Sequence, residues 1–211
     1  MPFPVRSALR FLFLLTAVMA PTALFGAAEP DAKIGQAPPP SLAGRILVAA
    51  PGMPAARFQK IVIVIVRNGP EGSMGLVINR PAGENPWESL FAVLGERREG
   101  VTGTFPLFSG GPIQPELFFG LHTTDYRLPE SIAVTSEIAT TASPKILHDI
   151  IDGNGPRKYM ISFGYVGWAP GQLEGELGIN AWFTAPLDLP LVFDADRSTL
   201  WEQMVTAHGT P

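Results

Sequence analysis

The stretch Gly164–Trp182, GYVGWAPGQLEGELGINAW, decides how the rest of the chain is read. It follows the apolar run Tyr159–Phe163 and gathers glycines, a proline, two tryptophans and two glutamates into a short space. Gly164, Gly167 and Gly171 permit positive φ or close approach to a neighbour, where a Cβ would clash. Pro170 suits the first turn of a helix, where its missing N–H would be unpaired anyway. The expected path is a strand ending at Phe163, a tight glycine-rich turn, a short helix carrying Gln172, Glu174 and Glu176, and a second strand entering at Asn180. Such a turn is either a ligand cradle or a tight corner, and both readings stay open at this point.

Outward from this stretch, several elements are legible. Gly44–Ala50 reads as a strand ending at Pro51-Gly52, and Met53–Gln59 as one helical turn. Lys60–Val66, KIVIVIV, is β-branched on both faces, which predicts a strand covered on both sides. A turn over Asn68–Ser73 returns the chain as the strand Met74–Arg80, stopped by Pro81. Asn85 is expected to cap a helix with Pro86 at its first position and Glu88 in a capping box. That helix buries Leu90, Phe91 and Leu94 and ends at Gly95. Further strands are expected at Phe105–Phe108, Leu117–His122, Ile132–Thr135, Arg157–Phe163, Ala181–Thr184 and Leu189–Phe193. Helices are expected from Ser143 to Ile151 and from Thr199 onward. Strands outnumber helices and tight turns join several of them, which argues for α+β rather than regular βαβ alternation.

Composition narrows the function. Residues 1–28 have the layout of a secretory signal peptide: Arg6 and Arg10, then the apolar core Phe11–Ala20, then Gly26-Ala27-Ala28 as a cleavage site. The rivals are an uncleaved anchor and a misread start. The apolar run breaks at Pro21, short of the roughly 20 residues a span needs, so no membrane span is expected after cleavage. Residues 29–41 read as a Pro/Ala-rich linker, and 42–208 as one domain. All 19 acidic residues but only 13 of the 15 basic ones follow the leader, so the remainder carries about −6. With that charge and no basic run, nucleic-acid binding is not expected. The chain has no cysteine, which excludes disulfides, thiolate metal sites and cysteine nucleophiles.

Taken together, the motifs ILVAAPGM (46–53), GSMGLVINRP (72–81), PLFSGGPI (106–113), Leu121-His122, TTASPKIL (140–147) and GYVGWAPGQLEGEL with NAW (164–182) closely resemble the YqgE/AlgH family. Order and spacing agree across essentially the whole domain. The resemblance implies an α+β fold: a bifurcated, mostly antiparallel sheet with a small barrel-like part and helices around it. It implies no established enzyme activity, and the family's naming implies a role in regulating alginate production. Two departures stand out. Pro54-Ala55-Ala56 occupies a place where the family often has an acidic residue, and Asn68 a place where it often has histidine. Members are usually read as cytoplasmic, which makes an exported one unusual.

Candidate site residues follow from the turns and the polar side chains near them. The Ser109-Gly110-Gly111-Pro112 turn either presents amides to an anion or simply supplies a sharp corner. Glu174 and Glu176 are two apart and would not share a helical face, so they form neither a metal pair nor an acid–base pair. Trp168 and Trp182 read as packing, and Arg80, after Asn79, as a cation at a strand end. His122 and His148 have no metal-ligand spacing, and no GxSxG elbow exists for a serine nucleophile. No catalytic residue, metal or cofactor is therefore expected. The candidate ligand or partner surface comprises Asn79, Arg80, Gly110, Gly111, Pro112, His122, Gly167, Trp168, Gly171, Gln172 and Glu174. Its partner is an unspecified protein or small molecule. Three readings remain: a non-enzymatic binding or regulatory domain, a hydrolase or metal enzyme with dispersed residues such as His122, Glu174 and Asn79, and a structural envelope protein.

Overall fold

The apolar strand that the sequence places at Lys60–Val66 forms the spine of the structure. In the computed structural model, which describes residues 41–96 and 98–208, it becomes β2 (Val62–Gly69). Its side chains alternate between two cores, Val62, Val64 and Val66 on one face and Ile63 and Ile65 on the other. The expected leader (1–28) and nearly all of the expected linker (29–41) lie outside the described residues.

Around β2 run β1 (Arg45–Ala49), β3 (Gly72–Val77) and β10 (Trp182–Pro186), in the order β10-β1-β2-β3. β2 and β3 form a hairpin tighter than expected: Gly69 pairs with Gly72, so only Pro70 and Glu71 make the turn. The path continues through β9 (Tyr159–Trp168), β6 (Ile113–Thr123), β8 (Ile138–Thr141) and β7 (Ile132–Ala133). β4 (Pro81–Pro86) and β5 (Thr104–Ser109) branch from this path, with β5 lying parallel to β9. The other strand pairs are antiparallel.

The sheet curls until the start of β1 lies against the end of β7: a Cβ on Gly44, just before β1, would lie 2.9 Å from the carbonyl oxygen of Val134, just after β7. The core inside this half-barrel holds Ile46, Val64, Leu76, Phe119, Leu121 and Ile138. Helices α4 (Leu189–Phe193) and α5 (Leu200–His208) pack against it through Val192, Leu200 and Met204. A second core covers the other face of β1–β3 with Trp168, Trp182 and Leu173 of α3 (Gln172–Gly178). A third lies under α1 (Trp87–Val93) and α2 (Lys145–Ile151), where Phe91, Ile146 and Leu147 are buried. The fold is α+β, with a bifurcated, mostly antiparallel sheet.

The bifurcation occurs at Gly164, where the sequence suggests a turn. The chain does not turn there. β9 runs on to Trp168 and changes partners: β5 pairs with it only as far as Phe163, β6 as far as Tyr165, and β3 takes Val166–Trp168. Gly164 has φ +72°, and a Cβ on it would overlap the carbonyl oxygen of Gly111; a Cβ on Gly111 would overlap the backbone of Tyr165. The glycines therefore serve a backbone crossing rather than a corner.

Other expectations change for local reasons. Pro81 does not end a strand; β3 stops at Val77 and Pro81 opens β4, opposite Phe108. Asn85 does not cap α1: it pairs with Phe105 in the β4–β5 ladder, its amide donates to the Gly83 carbonyl, and Pro86 holds the cap position. Leu189–Phe193 is helix, not strand. The Asp188 carboxylate accepts from the Leu191 N–H at 2.8 Å, and Pro190 sits in the first turn, so capping overrides an apolar run too short to show a period. Pro170 lies just outside α3, whose cap is Gly171. β8 went unrecognised because its four residues, IATT, lie directly before the α2 signal.

Gly164→Ala is expected to destabilise the domain by about 3 kcal/mol or more, because both the backbone region and the space refuse a Cβ. Gly178→Ala, at the end of α3 with nothing within 4 Å, should stay within about 1 kcal/mol of the parent in urea unfolding.

Candidate functional site

The Ser109–Pro112 turn is where the sequence most suggests an anion cradle, and two of its three N–H groups, those of Ser109 and Gly110, are committed to the fold. Ser109 N–H donates to the Arg80 carbonyl at 2.9 Å and Gly110 N–H to the Phe163 carbonyl at 2.8 Å. The Gly110 carbonyl in turn accepts from Val77 N–H at 2.9 Å. What the turn offers is shape. Ser109, Gly111 and Pro112 form one wall of a cavity of about 360 Å³, with Arg57 and Arg80 on other walls and Phe58, Ile61 and Val77 supplying apolar surface. The Arg80 guanidinium is steadied by a 2.8 Å hydrogen bond to the Gln59 carbonyl, and that of Arg57 lies 5.8 Å from the Phe58 ring centroid. Among the described residues, no carboxylate lines this cavity.

Arg80 also borders a neighbouring cavity of about 440 Å³ with Lys60, Asn79, Arg197 and Glu202. Lys60 is paired with Glu202 at 3.0 Å, and its ammonium lies 5.2 Å from the Trp201 ring centroid. Arg197 donates to the Leu191 and Val192 carbonyls, and burial pulls its pKa below the usual value although Asp194 opposes this. Asn79 serves the backbone here: its oxygen accepts from Val62 N–H and its amide donates to the Lys60 carbonyl, each at 2.9 Å.

The remaining candidates lie elsewhere. Trp168 and Trp182 meet edge to face, with centroids 6.0 Å apart. Both indole N–H groups donate to one oxygen of Glu176, at 3.0 and 2.7 Å, and Gln172 donates to the other at 2.8 Å. Glu176 thus ties α3 to β9 and β10, a role missed in the sequence. The Gln172/Glu176 spacing of four was its one visible signal. Glu174 is exposed and accepts from Asn68 at 3.0 Å. Asn68 also donates to Ser73 Oγ at 2.8 Å and accepts from Leu42 N–H at 2.8 Å, so it joins the domain's entry, the hairpin and α3. Gly167 packs against Ile113 and Tyr165, and Gly171 is open to solvent.

His122 is fully buried in β6, where its Nδ1–H donates to the Thr123 carbonyl at 2.9 Å. Its Nε2 finds no partner among the described residues, and Tyr126 stands edge-on at 5.5 Å. Burial holds its pKa below 6.5, outweighing the Thr123 carbonyl and Asp125, which favour the charged form. No hydrogen bond among the described residues joins any two of His122, Glu174 and Asn79. Nor, among the described residues, is any group of three or more His, Asp or Glu placed to hold a metal ion.

A family model described as AlgH-like matches residues 46–211. The chain belongs to the AlgH-like family. A UPF0301 protein of Rhodospirillum rubrum is 39% identical over 168 residues, covering 80% of this chain and 86% of the relative. A UPF0301 protein of Ruegeria pomeroyi is 38% identical over 169 residues, covering 80% and 92%. Among solved structures, the AlgH protein of Pseudomonas aeruginosa superposes with a TM-score of 0.68 at 32% identity, covering 84% of this chain and 94% of that one. A Corynebacterium diphtheriae protein, at 22% identity and TM-score 0.63, shares the fold. In this AlgH-like chain, Asn68 lies at a hydrogen-bonded junction.

Two predictions follow from these contacts. Glu176→Ala leaves two indole donors without their acceptor and should cost about 2–4 kcal/mol, whereas exposed Glu174→Ala should cost less than about 1 kcal/mol, both read by urea unfolding. Because folding lowers the His122 pKa, its neutral form is stabilising above the unfolded value of 6.5 and that stability is lost as pH falls below it. The melting temperature of the parent should therefore drop more steeply below pH 6.5 than that of His122→Asn, which keeps a donor near the Nδ1 position.

Proposed function

We propose that this AlgH-like chain is a non-enzymatic binding domain, exported, whose ligand is a small anion with an apolar or planar body held in the cavity beside Ser109–Pro112. The observation that carries this reading is the pairing of Arg57 and Arg80 over the apolar surface of Phe58, Ile61 and Val77, with no carboxylate among the described lining residues. In a chain of net charge −4, this concentration of positive charge selects anions, and arginine suits planar acceptors. The volume falls within the ~300–1,000 Å³ typical of small-molecule sites. The side chains that a hydrolase would bring together, His122, Glu174 and Asn79, are each engaged in separate structural hydrogen bonds, which favours binding over catalysis. Export rests on the layout of residues 1–28.

Calorimetric titration with 2-naphthoate tests the site. Arg57→Ala and Arg80→Gln should each weaken binding about tenfold, the loss of one charge-assisted contact, while Arg127→Ala should not. Binding that is absent from the parent, or indifferent to both arginines, contradicts the reading. Export is tested by N-terminal sequencing after cell fractionation: a chain starting near Glu29 in the periplasm or medium is expected, and a full-length cytoplasmic chain contradicts it.

A further inference from the structure

The half-barrel ends in a second cavity that shares no lining residue with the arginine-lined one. We infer that it is a binding site for a medium-chain carboxylate, whose alkyl body lies against the barrel mouth and whose head group meets Arg67. This goes beyond the proposed function, because a different surface and a different ligand are involved.

The walls argue for the alkyl body. The cavity is about 450 Å³, and Val66, Met74, Phe119 and Ile132 form its apolar lining. These residues come from β2, β3, β6 and β7, so the site is built on the sheet rather than on a loop. Val66 and Phe119 are continuous with the buried core inside the half-barrel, and Met74 packs against it. Ile132 is 55% exposed, a large apolar side chain left facing solvent at the rim. Mouths of barrels with apolar walls are a common setting for small hydrophobic ligands. Thr140 in the same lining is only 3% exposed, and its hydroxyl has no hydrogen-bond partner among the described residues. Its oxygen is itself enclosed, so Thr140 contributes to the wall without presenting its hydroxyl to the cavity.

Charge argues for the head group. Two ionisable residues line the cavity, Arg67 and Glu130. Glu130 is fully exposed; the Ser143 hydroxyl donates to its carboxylate and the Lys145 charge stands nearby, together holding its pKa below the usual value. Arg67 is exposed, and among the described residues no carboxylate forms an ion pair with it. Glu130 keeps its charge, partly offset by Ser143 and Lys145, and Arg67 is the one cation among the described lining residues. One guanidinium above an apolar wall matches a monocarboxylate, and a phosphate would find too few donors.

Calorimetric titration of the full chain with sodium decanoate, and separately with neutral 1-decanol, tests the inference. Decanoate is expected to bind saturably, and Arg67→Gln should weaken it about tenfold while leaving 1-decanol unchanged. Ala142→Trp, at an exposed lining residue, should block both ligands by filling the cavity, and its melting temperature and circular dichroism should match the parent. Arg57→Ala and Arg80→Gln should leave decanoate affinity unaltered, which separates this site from the other. Absence of saturable decanoate binding overturns the inference, as does binding that survives Ala142→Trp. An N-terminal segment or a second copy already seated in the cavity would give the first of those results. Equal loss of decanoate and 1-decanol in Arg67→Gln would overturn the assignment of the head group.

Discussion

Two backbone segments, Ser109–Gly111 and Phe163–Tyr165, touch so closely that no side chain fits between them, and much of the fold depends on that contact. Three hydrogen bonds fix it: Ser109 to Arg80, Gly110 to Phe163 and Val77 to Gly110. Through them the end of β3, the end of β5 and the middle of β9 become one junction. Around it β9 leaves β5 and joins β3, which makes one strand common to both branches of the sheet. The same junction holds Gly111 and Pro112 opposite Arg80, so the geometry of the arginine-lined cavity is inherited from a packing constraint.

Much of this architecture was legible in the chain itself. The β-branched run at Lys60–Val66 could only be a strand covered on both faces, and both faces are buried. The α2 and α5 regions were legible from their apolar positions and their start and stop signals, and the ordered motifs pointed to the family. What escaped were features in which a residue's partner is remote in sequence. Gly164 reads as a turn because glycine is permissive, and nothing local reveals that Gly111 lies against it. Asn85 has the chemistry of a cap, but the β4–β5 ladder claims its backbone. Leu189–Phe193 is too short to show a period, and Asp188 decides its state.

The candidate site was legible only in part. Arg80, Gly111 and Pro112 do line one cavity, while Arg57, outside every motif considered, supplies its second cation. Trp168 and Gln172 belong instead to the Glu176 knot, and Glu174 to the Asn68 junction. Glu176 is hard to read from its neighbour Glu174, because its partners lie four, six and eight residues distant. The polar residues of the central stretch thus act mainly to hold α3 against the sheet. Arg57 and Arg80 instead line the cavity beside Ser109–Pro112.

The Ser109 and Gly110 amides belong to the fold and are not held open for an anion. Native-state hydrogen exchange at Gly110 and Val77 tests this most directly. If the crossing is the constraint described here, both amides exchange only through global unfolding, as slowly as those of Val64 and Ile65 in β2. Exchange at Gly110 and Val77 as fast as at Glu71 in the exposed β2–β3 turn would contradict it, and would return the Gly110 amide to the pool available for ligand binding.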